Sequence, residues 1–165
     1  MKSATQDSLD ALSKGINAEL AAYTFYKRAA EKVTKQEHID AFLKLATEEK
    51  DHFRVLEAEY DSLLRSEKWV TYSDIMRRGQ LPDIPEEMAE THRKRYEALP
   101  EFGDLEKVLR MAIRLEEEAR DLYSAQMAKA VDPMGKEMYA FLSKFEQAHV
   151  TLINGWLQNL AKSSR

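Results

Sequence analysis

The chain has 165 residues, 44% of them hydrophobic and 33% charged, with five glycines, four prolines and no cysteine. That is a one-domain length, and a chain of this size hides roughly two-thirds of its unfolded surface on folding, enough for a core without covalent staples. Zero cysteine excludes disulfides, thiolate zinc sites, iron–sulfur clusters and a cysteine nucleophile, so any metal must be held by nitrogen and oxygen. Lys+Arg of 25 against Asp+Glu of 29 leaves a formal charge of -4 and a pI near 5.7, which argues against a nucleic-acid footprint and a polybasic membrane anchor. No run approaches the roughly 20 apolar residues of a membrane span. The opening MKSATQDSLD lacks the apolar centre of a signal peptide, so a cytoplasmic address is expected.

Scarce glycine and proline with abundant Ala, Leu, Glu and Lys favour helix, because these residues lose little on entering one. Leu9, Leu12, Ile16, Tyr23, Tyr26, Ala30 and Val33 recur at steps of three, four or seven and predict a first amphipathic helix. Thr34-Lys35-Gln36-Glu37 fits a capping box that would start the second. The second stripe is Ile39, Phe42, Leu45, Phe53, Leu56, Tyr60 and Leu63. Pro82, Pro85 and Pro100 then break a middle stretch over residues 66–103, too long to be structureless, where short helices are predicted near Tyr72–Arg78 and Glu86–Leu99. Its HRKRYE run reads as a solvated face. Asp104 can cap a third long helix carrying Leu109, Ala112, Ile113, Leu115, Ala119, Leu122 and Tyr123. Asp132-Pro133 reads as an N-cap followed by proline at the first helical position. A fourth stripe runs Met138, Phe141, Leu142, Phe145, Ile153, Trp156 and Leu160. The predicted fold is an all-α four-helix bundle in one domain over residues 1–165: an antiparallel hairpin over 4–65, a crossover over 66–103 and a second hairpin over 104–162.

Setting the last part against the first at an offset of 97 reveals a repeat that needs no gap. Glu19 meets Glu116, Glu49 meets Glu146, His52 meets His149 and Tyr26 meets Tyr123, with Asp7/Asp104, Leu12/Leu109, Ile16/Ile113, Ala22/Ala119 and Leu45/Leu142 around them. The four glutamates and two histidines interrupt apolar stripes, so they face the core. An unpaired buried carboxylate costs several kcal/mol, so four of them demand a compensating positive charge. Two divalent cations would neutralise four carboxylates and two neutral imidazoles. Glu-x-x-His places an oxygen and a nitrogen on one helix face, and a glutamate from each other helix completes the set known from di-metal carboxylate bundles. Carboxylate with imidazole suits iron or manganese and admits zinc. Tyr26 and Tyr123, nearly two turns beyond Glu19 and Glu116, are either plain core aromatics or donors to a ligand carboxylate. Glu48, Glu117 and Glu118 read as surface charge, His38 and His92 as ordinary exposed residues, and Arg120 as a partner for a ligand carboxylate or an interface.

With these motifs in hand, AELAAYTFYKRAAEKV and EEKDH in the first hairpin and RLEEEARDLY and FEQAH in the second resemble the rubrerythrin group of the ferritin-like superfamily. The resemblance implies a ferritin-like bundle with two iron ions held by Glu19, Glu49, His52, Glu116, Glu146 and His149, and tyrosines Tyr26 and Tyr123 behind them. It implies reduction of hydrogen peroxide or dioxygen, and a homodimer or larger assembly. Two departures stand out. Rubrerythrins carry a cysteine-bound iron domain that is missing here, so electrons are expected from a separate donor protein. They also carry an extra glutamate three residues after the third-helix ligand, where this chain has Ala119. Iron oxidation and storage with ferrous iron as substrate, hydroxylation of an organic substrate, and a metal-stabilised interaction module without turnover are the competing readings.

Overall fold

The computed structural model describes residues 4–78, 83–97 and 99–163. Four long helices carry the sequence stripes: α1 (Ala4–Lys32), α2 (Gln36–Ser66), α5 (Leu105–Lys129) and α6 (Pro133–Ser163). Between them lie α3 (Tyr72–Arg77), α4 (Glu86–Glu97) and a 3₁₀ turn (Pro100–Gly103). Among the described residues there is no strand, and no helix is long and apolar enough to cross a membrane.

The chain ends its long helices with local polar chemistry, though not everywhere as predicted. Asp104 accepts from the Lys107 N–H (3.4 Å) at the start of α5, and Asp132 accepts from the Met134 and Gly135 N–H groups (2.8 and 3.4 Å) at the start of α6. The capping box at Thr34 does not form. Lys35 is the N-cap of α2, with extended backbone and no side-chain hydrogen bond. Val33 is half-buried against the core and Thr34 is exposed, one residue before the N-cap and so too early to cap. The short crossover helices are where proline spacing put them, α3 one residue and α4 two residues shorter than predicted. Thr71 caps α3 by accepting from the Asp74 N–H (3.1 Å).

Helices α1 and α2 pair, as do α5 and α6, and α1 packs on α5. One end of the core gathers Leu9 and Leu12 with Leu56, Leu63, Tyr123 and Met138. The other gathers Ala29 and Ala30 with Phe42, Leu109, Ala112 and Ile153. Residue numbers therefore run in opposite senses within each hairpin, the antiparallel arrangement. Leu12, Phe25, Leu56 and Leu142 are fully enclosed, each contributing about 1.5–3 kcal/mol of hydrophobic stabilisation.

Helix α1 buries two faces, and the sequence stripe showed one. Its second face carries Leu20, Phe25 and Ala29, because α4 and the 3₁₀ turn lie over it. Phe25 meets Tyr96 edge-on and Phe102 tilted, with ring centroids 5.5 and 5.2 Å away. Of the HRKRYE run, Arg93, Lys94 and Arg95 are solvated as predicted, but Tyr96 is buried. The crossover thus closes the α1 side of the bundle, whereas α2 and α6 stand farther apart opposite it.

Candidate metal centre

The six residues singled out by the repeat come together midway along the bundle. Glu19 comes from α1, Glu49 and His52 from α2, Glu116 from α5, and Glu146 and His149 from α6. None is more than 4% exposed. Ligating atoms of Glu19, Glu49, His52 and Glu146 lie within 4.8 Å of one another, and so do those of Glu49, Glu116, Glu146 and His149. Glu49 and Glu146 belong to both groups. Each group then adds one glutamate and one histidine of its own, so the repeat in sequence becomes a near-symmetric pair of positions bridged by two carboxylates.

Both imidazoles turn Nδ1 inward. His52 Nδ1 is 3.1 Å from Glu146 Oε1 and 3.6 Å from both Glu19 Oε2 and Glu49 Oε2. His149 Nδ1 is 3.0 Å from Glu49 Oε1, 3.3 Å from Glu116 Oε1 and 3.7 Å from Glu146 Oε2. Despite these approaches, both oxygens of Glu49, Oε2 of Glu116, Oε2 of Glu146 and His149 Nδ1 are buried without a hydrogen-bond partner. Buried polar atoms are nearly always satisfied, so five orphans facing one space mark a place built for something other than hydrogen bonding.

The tyrosine question resolves toward the polar role, and the contacts cross over. Tyr26 on α1 donates to Glu116 Oε1 of α5, and Tyr123 on α5 donates to Glu19 Oε1 of α1, each at 2.5 Å. Burial and then the Glu116 charge push the Tyr26 phenol well up, and burial with the Glu19 charge does the same to Tyr123, so both remain protonated donors.

Metal-free, the cluster divides its protons. Burial opposes ionisation of Glu19, but the close approach of Glu49 and the His52 charge outweigh it and bring Glu19 down to about 2. Burial also opposes ionisation of Glu116, which the close approach of Glu146 and His149 nonetheless holds below the usual range. Glu49 is raised by burial and then by the charges of Glu116 and Glu146; Glu146 is raised by burial and the Glu19 charge. Burial works against the charged imidazoles, yet Glu19 holds His52 well up and contacts with Glu116, Glu146 and Glu49 hold His149 up. Two carboxylates and two imidazoliums balance, and the other two glutamates stay neutral.

Several residues around the cluster differ from their sequence reading. Glu48 is no plain surface charge: it stands 2.9 Å from His149 Nε2 and fixes that ring with Nδ1 facing inward. Its only signal was a second glutamate beside Glu49. At the repeat-equivalent position stands Phe145, which packs edge-on against His52 with centroids 4.7 Å apart. Arg120 reaches no ligand carboxylate; it donates to Asp121 (3.0 Å) and Gln147 (2.8 Å). Glu118 is exposed and Glu117 half-buried, outside the cluster. His38 and His92 are half-buried, not exposed, and neither joins a ligand group. Ala119 is buried among Leu9, Leu12 and Tyr123.

Between α2 and α6 a cleft of about 410 Å³ leads from the surface to Glu48 and His149, with Leu45, Phe145, Leu152 and Trp156 in its walls. No family model, no curated protein and no solved structure matches this chain.

Proposed function

We propose that the chain is a ferritin-like, rubrerythrin-related di-iron oxidoreductase that reduces hydrogen peroxide or dioxygen with electrons from a separate donor protein. The observation that carries the reading is the set of buried, unpartnered polar atoms on Glu49, Glu116, Glu146 and His149. Two divalent cations among four carboxylates leave the core neutral, and the oxygen-with-imidazole donor set fits iron. Glu19, His52, Glu116 and His149 would each hold one ion, with Glu49 and Glu146 shared. Glu19, Glu49, His52, Glu116, Glu146 and His149 would thus hold a pair of ions that, when bound, would supply the two electrons that cleavage of an O–O bond consumes.

The protein's own contribution is orientation and exclusion. Tyr26 and Tyr123 donate hydrogen bonds to Glu116 Oε1 and Glu19 Oε1, leaving the other oxygen of each carboxylate for the centre. Glu48 takes the hydrogen bond from His149 Nε2, which keeps the Nδ1 lone pair for a cation. Phe42, Leu45 and Leu142, each at most 2% exposed, exclude water. The cleft to His149 gives a small oxidant its route. These 165 residues hold no cysteine, so none of them can carry an iron–sulfur donor.

Anaerobic reconstitution with ferrous iron tests the reading. Two irons per chain are expected, with a near-ultraviolet ligand-to-metal band that bleaches on reduction and returns with peroxide or dioxygen. Full iron occupancy without such cycling would sink it. A second reading, oxidation and handing-on of ferrous iron, draws support from the half-exposed Glu48 carboxylate at the mouth of the cleft. Turnover of many irons per chain would favour it over a fixed pair.

A further inference from the structure

The Tyr123 that donates to Glu19 is itself the inner end of a row of aromatic rings. Tyr139 of α6 stacks on Tyr123 with centroids 6.5 Å apart and planes 23° apart. Trp69, from the segment after α2, meets Tyr139 edge-on at 5.5 Å. Trp69 is half-buried and sits on Gly135, where a β-carbon would fall 2.6 Å from the indole Cε2. Only glycine there lets the indole reach Tyr139.

The repeat supplies an internal control. Ninety-seven residues before Tyr139 stands Phe42, which stacks on Tyr26 in almost the same geometry, 6.2 Å and 22°. Trp156 meets Phe42 edge-on at 6.3 Å. Packing at this place therefore needs a ring and no hydroxyl. Yet Tyr139 carries one, buried and without a hydrogen-bond partner. Glu59, fully buried, is near enough for its charge to bear on the Tyr139 phenol; its Oε2 accepts from the Val70 N–H (3.0 Å) and its Oε1 is unpartnered, so no hydrogen bond joins the two groups. Trp156 occupies the repeat position of Glu59. One branch is thus phenol, phenol, indole with a carboxylate at the middle phenol; the other has phenylalanine in the middle.

We propose that Trp69, Tyr139 and Tyr123 form a one-electron relay between the surface and the Glu19 end of the metal centre, with Glu59 taking the Tyr139 proton. The proposal rests on the di-metal reading above, with hydrogen peroxide as oxidant and a one-electron donor protein as reductant. In each pass Tyr123 gives one electron to the oxidised centre, its proton staying in the hydrogen bond to Glu19. Tyr139 returns that electron to Tyr123 and releases its own proton to Glu59 Oε1. Trp69 then restores the electron to Tyr139 as Glu59 gives the proton back, and the donor protein refills Trp69. Two passes with two protons from solvent convert one peroxide to two waters. Burial carries Glu59 up to about 7, against the Val70 N–H and the Arg78 charge, so the carboxylate can accept and return a proton near neutrality. The Phe42 branch has no phenol to oxidise and ends the other chain.

The test uses full-length protein loaded anaerobically with ferrous iron and given hydrogen peroxide in several-fold excess over the one equivalent that the ferrous pair can reduce, without any reductant, so that further oxidation is drawn from the relay itself. Peptide mass spectrometry then reads oxygen added to Trp69 and Trp156, and rapid-freeze electron paramagnetic resonance reads the organic radical. Wild type should be marked at Trp69, whereas any marking of Trp156, which lines the cleft by which peroxide enters, should not depend on Tyr139. Tyr139→Phe, which copies Phe42 and so should fold, should lose the Trp69 mark while binding the same iron and leaving Trp156 as it is in wild type. Glu59→Gln keeps the packing and should form the mark about a hundredfold more slowly, as expected for loss of a positioned base. Unchanged Trp69 oxidation in Tyr139→Phe overturns the relay. Iron that binds and is oxidised with Trp69 unmarked overturns the relay alone, whereas failure to bind iron overturns the metal reading beneath it.

Discussion

Metal loading should release about four protons for each pair of divalent ions bound. In the metal-free protein Glu19 and Glu116 are ionised, Glu49 and Glu146 are held neutral, and His52 and His149 are held protonated. Cations bound by all six groups need four carboxylates and two neutral imidazoles, so one proton leaves each of Glu49, Glu146, His52 and His149. Affinity must then rise with pH. Four protons make the overall binding free energy more favourable by about 5 kcal/mol per pH unit where all four groups are protonated in the free protein. Zinc serves as a redox-silent probe beside anaerobic ferrous iron. Titration into weakly buffered protein with an indicator dye counts the protons directly. Calorimetry in two buffers of different ionisation enthalpy counts them independently. A cation on exposed, already ionised surface carboxylates would release almost none. Release of fewer than about two protons per metal pair would refute both the charge assignment and the placement of the metals among these residues.

Three further predictions follow from neighbouring contacts. Tyr26→Phe leaves Glu116 Oε1 without its buried donor and should cost the metal-free protein about 1.5–3 kcal/mol in urea unfolding; because Tyr123 and Glu19 repeat the same contact, Tyr123→Phe should cost a similar amount, and a neutral result for either would contradict the geometry. Glu59 titrates near 7 in the fold against 4.5 for an ordinary glutamate, so its contribution is fully present below the unfolded value and is lost as pH rises through about 7, a difference of about 3 kcal/mol. Glu59→Gln has no such loss and should gain on wild type as pH rises from about 5 to 8; parallel stability curves would refute this. Gly135→Ala drives a β-carbon into the Trp69 ring and should destabilise by about 1–3 kcal/mol, with a change in indole fluorescence, where a surface glycine would be indifferent.

The fold and the cluster were legible in the sequence for one physical reason: polar residues that interrupt an apolar stripe cannot hide. Glu19, Glu49, His52, Glu116, Glu146 and His149 each stand where helical periodicity expects a hydrophobe, and the offset repeat pairs them. What the sequence concealed was set by packing between distant segments. Phe25 gave no warning of burial, because α1 has a second buried face only once α4 lies over it. Thr34 looked like a cap, but the helix starts one residue later, with Lys35 as its N-cap. Glu48 lies 101 residues from His149, and a glutamate beside a ligand is indistinguishable in sequence from a solvated one. Glu59 is the instructive omission: it too interrupts an apolar run, between Leu56 and Leu63, but has no repeat partner to draw attention to it.

The departures from the repeat are more informative about function than the repeat itself. The six candidate ligands and two tyrosines obey the internal symmetry, and so give the cluster two similar halves. Symmetry then fails at two places, and it fails at opposite ends. At the His149 end Glu48 replaces a ring, and the cleft between α2 and α6 opens onto that histidine. At the His52 end the equivalent place is filled by Phe145, edge-on against the imidazole. That same end carries Glu19, Tyr123 and the row of rings through Tyr139 to Trp69, where the other branch has Phe42. On the proposed reading the oxidant approaches one metal position from the cleft, and electrons arrive at the other through the relay. Glu49 and Glu146 belong to both ligand groups, and on that reading they would link the two positions, so that the two routes can be separate. It keeps a reactive small molecule away from the oxidisable side chains Tyr139 and Trp69.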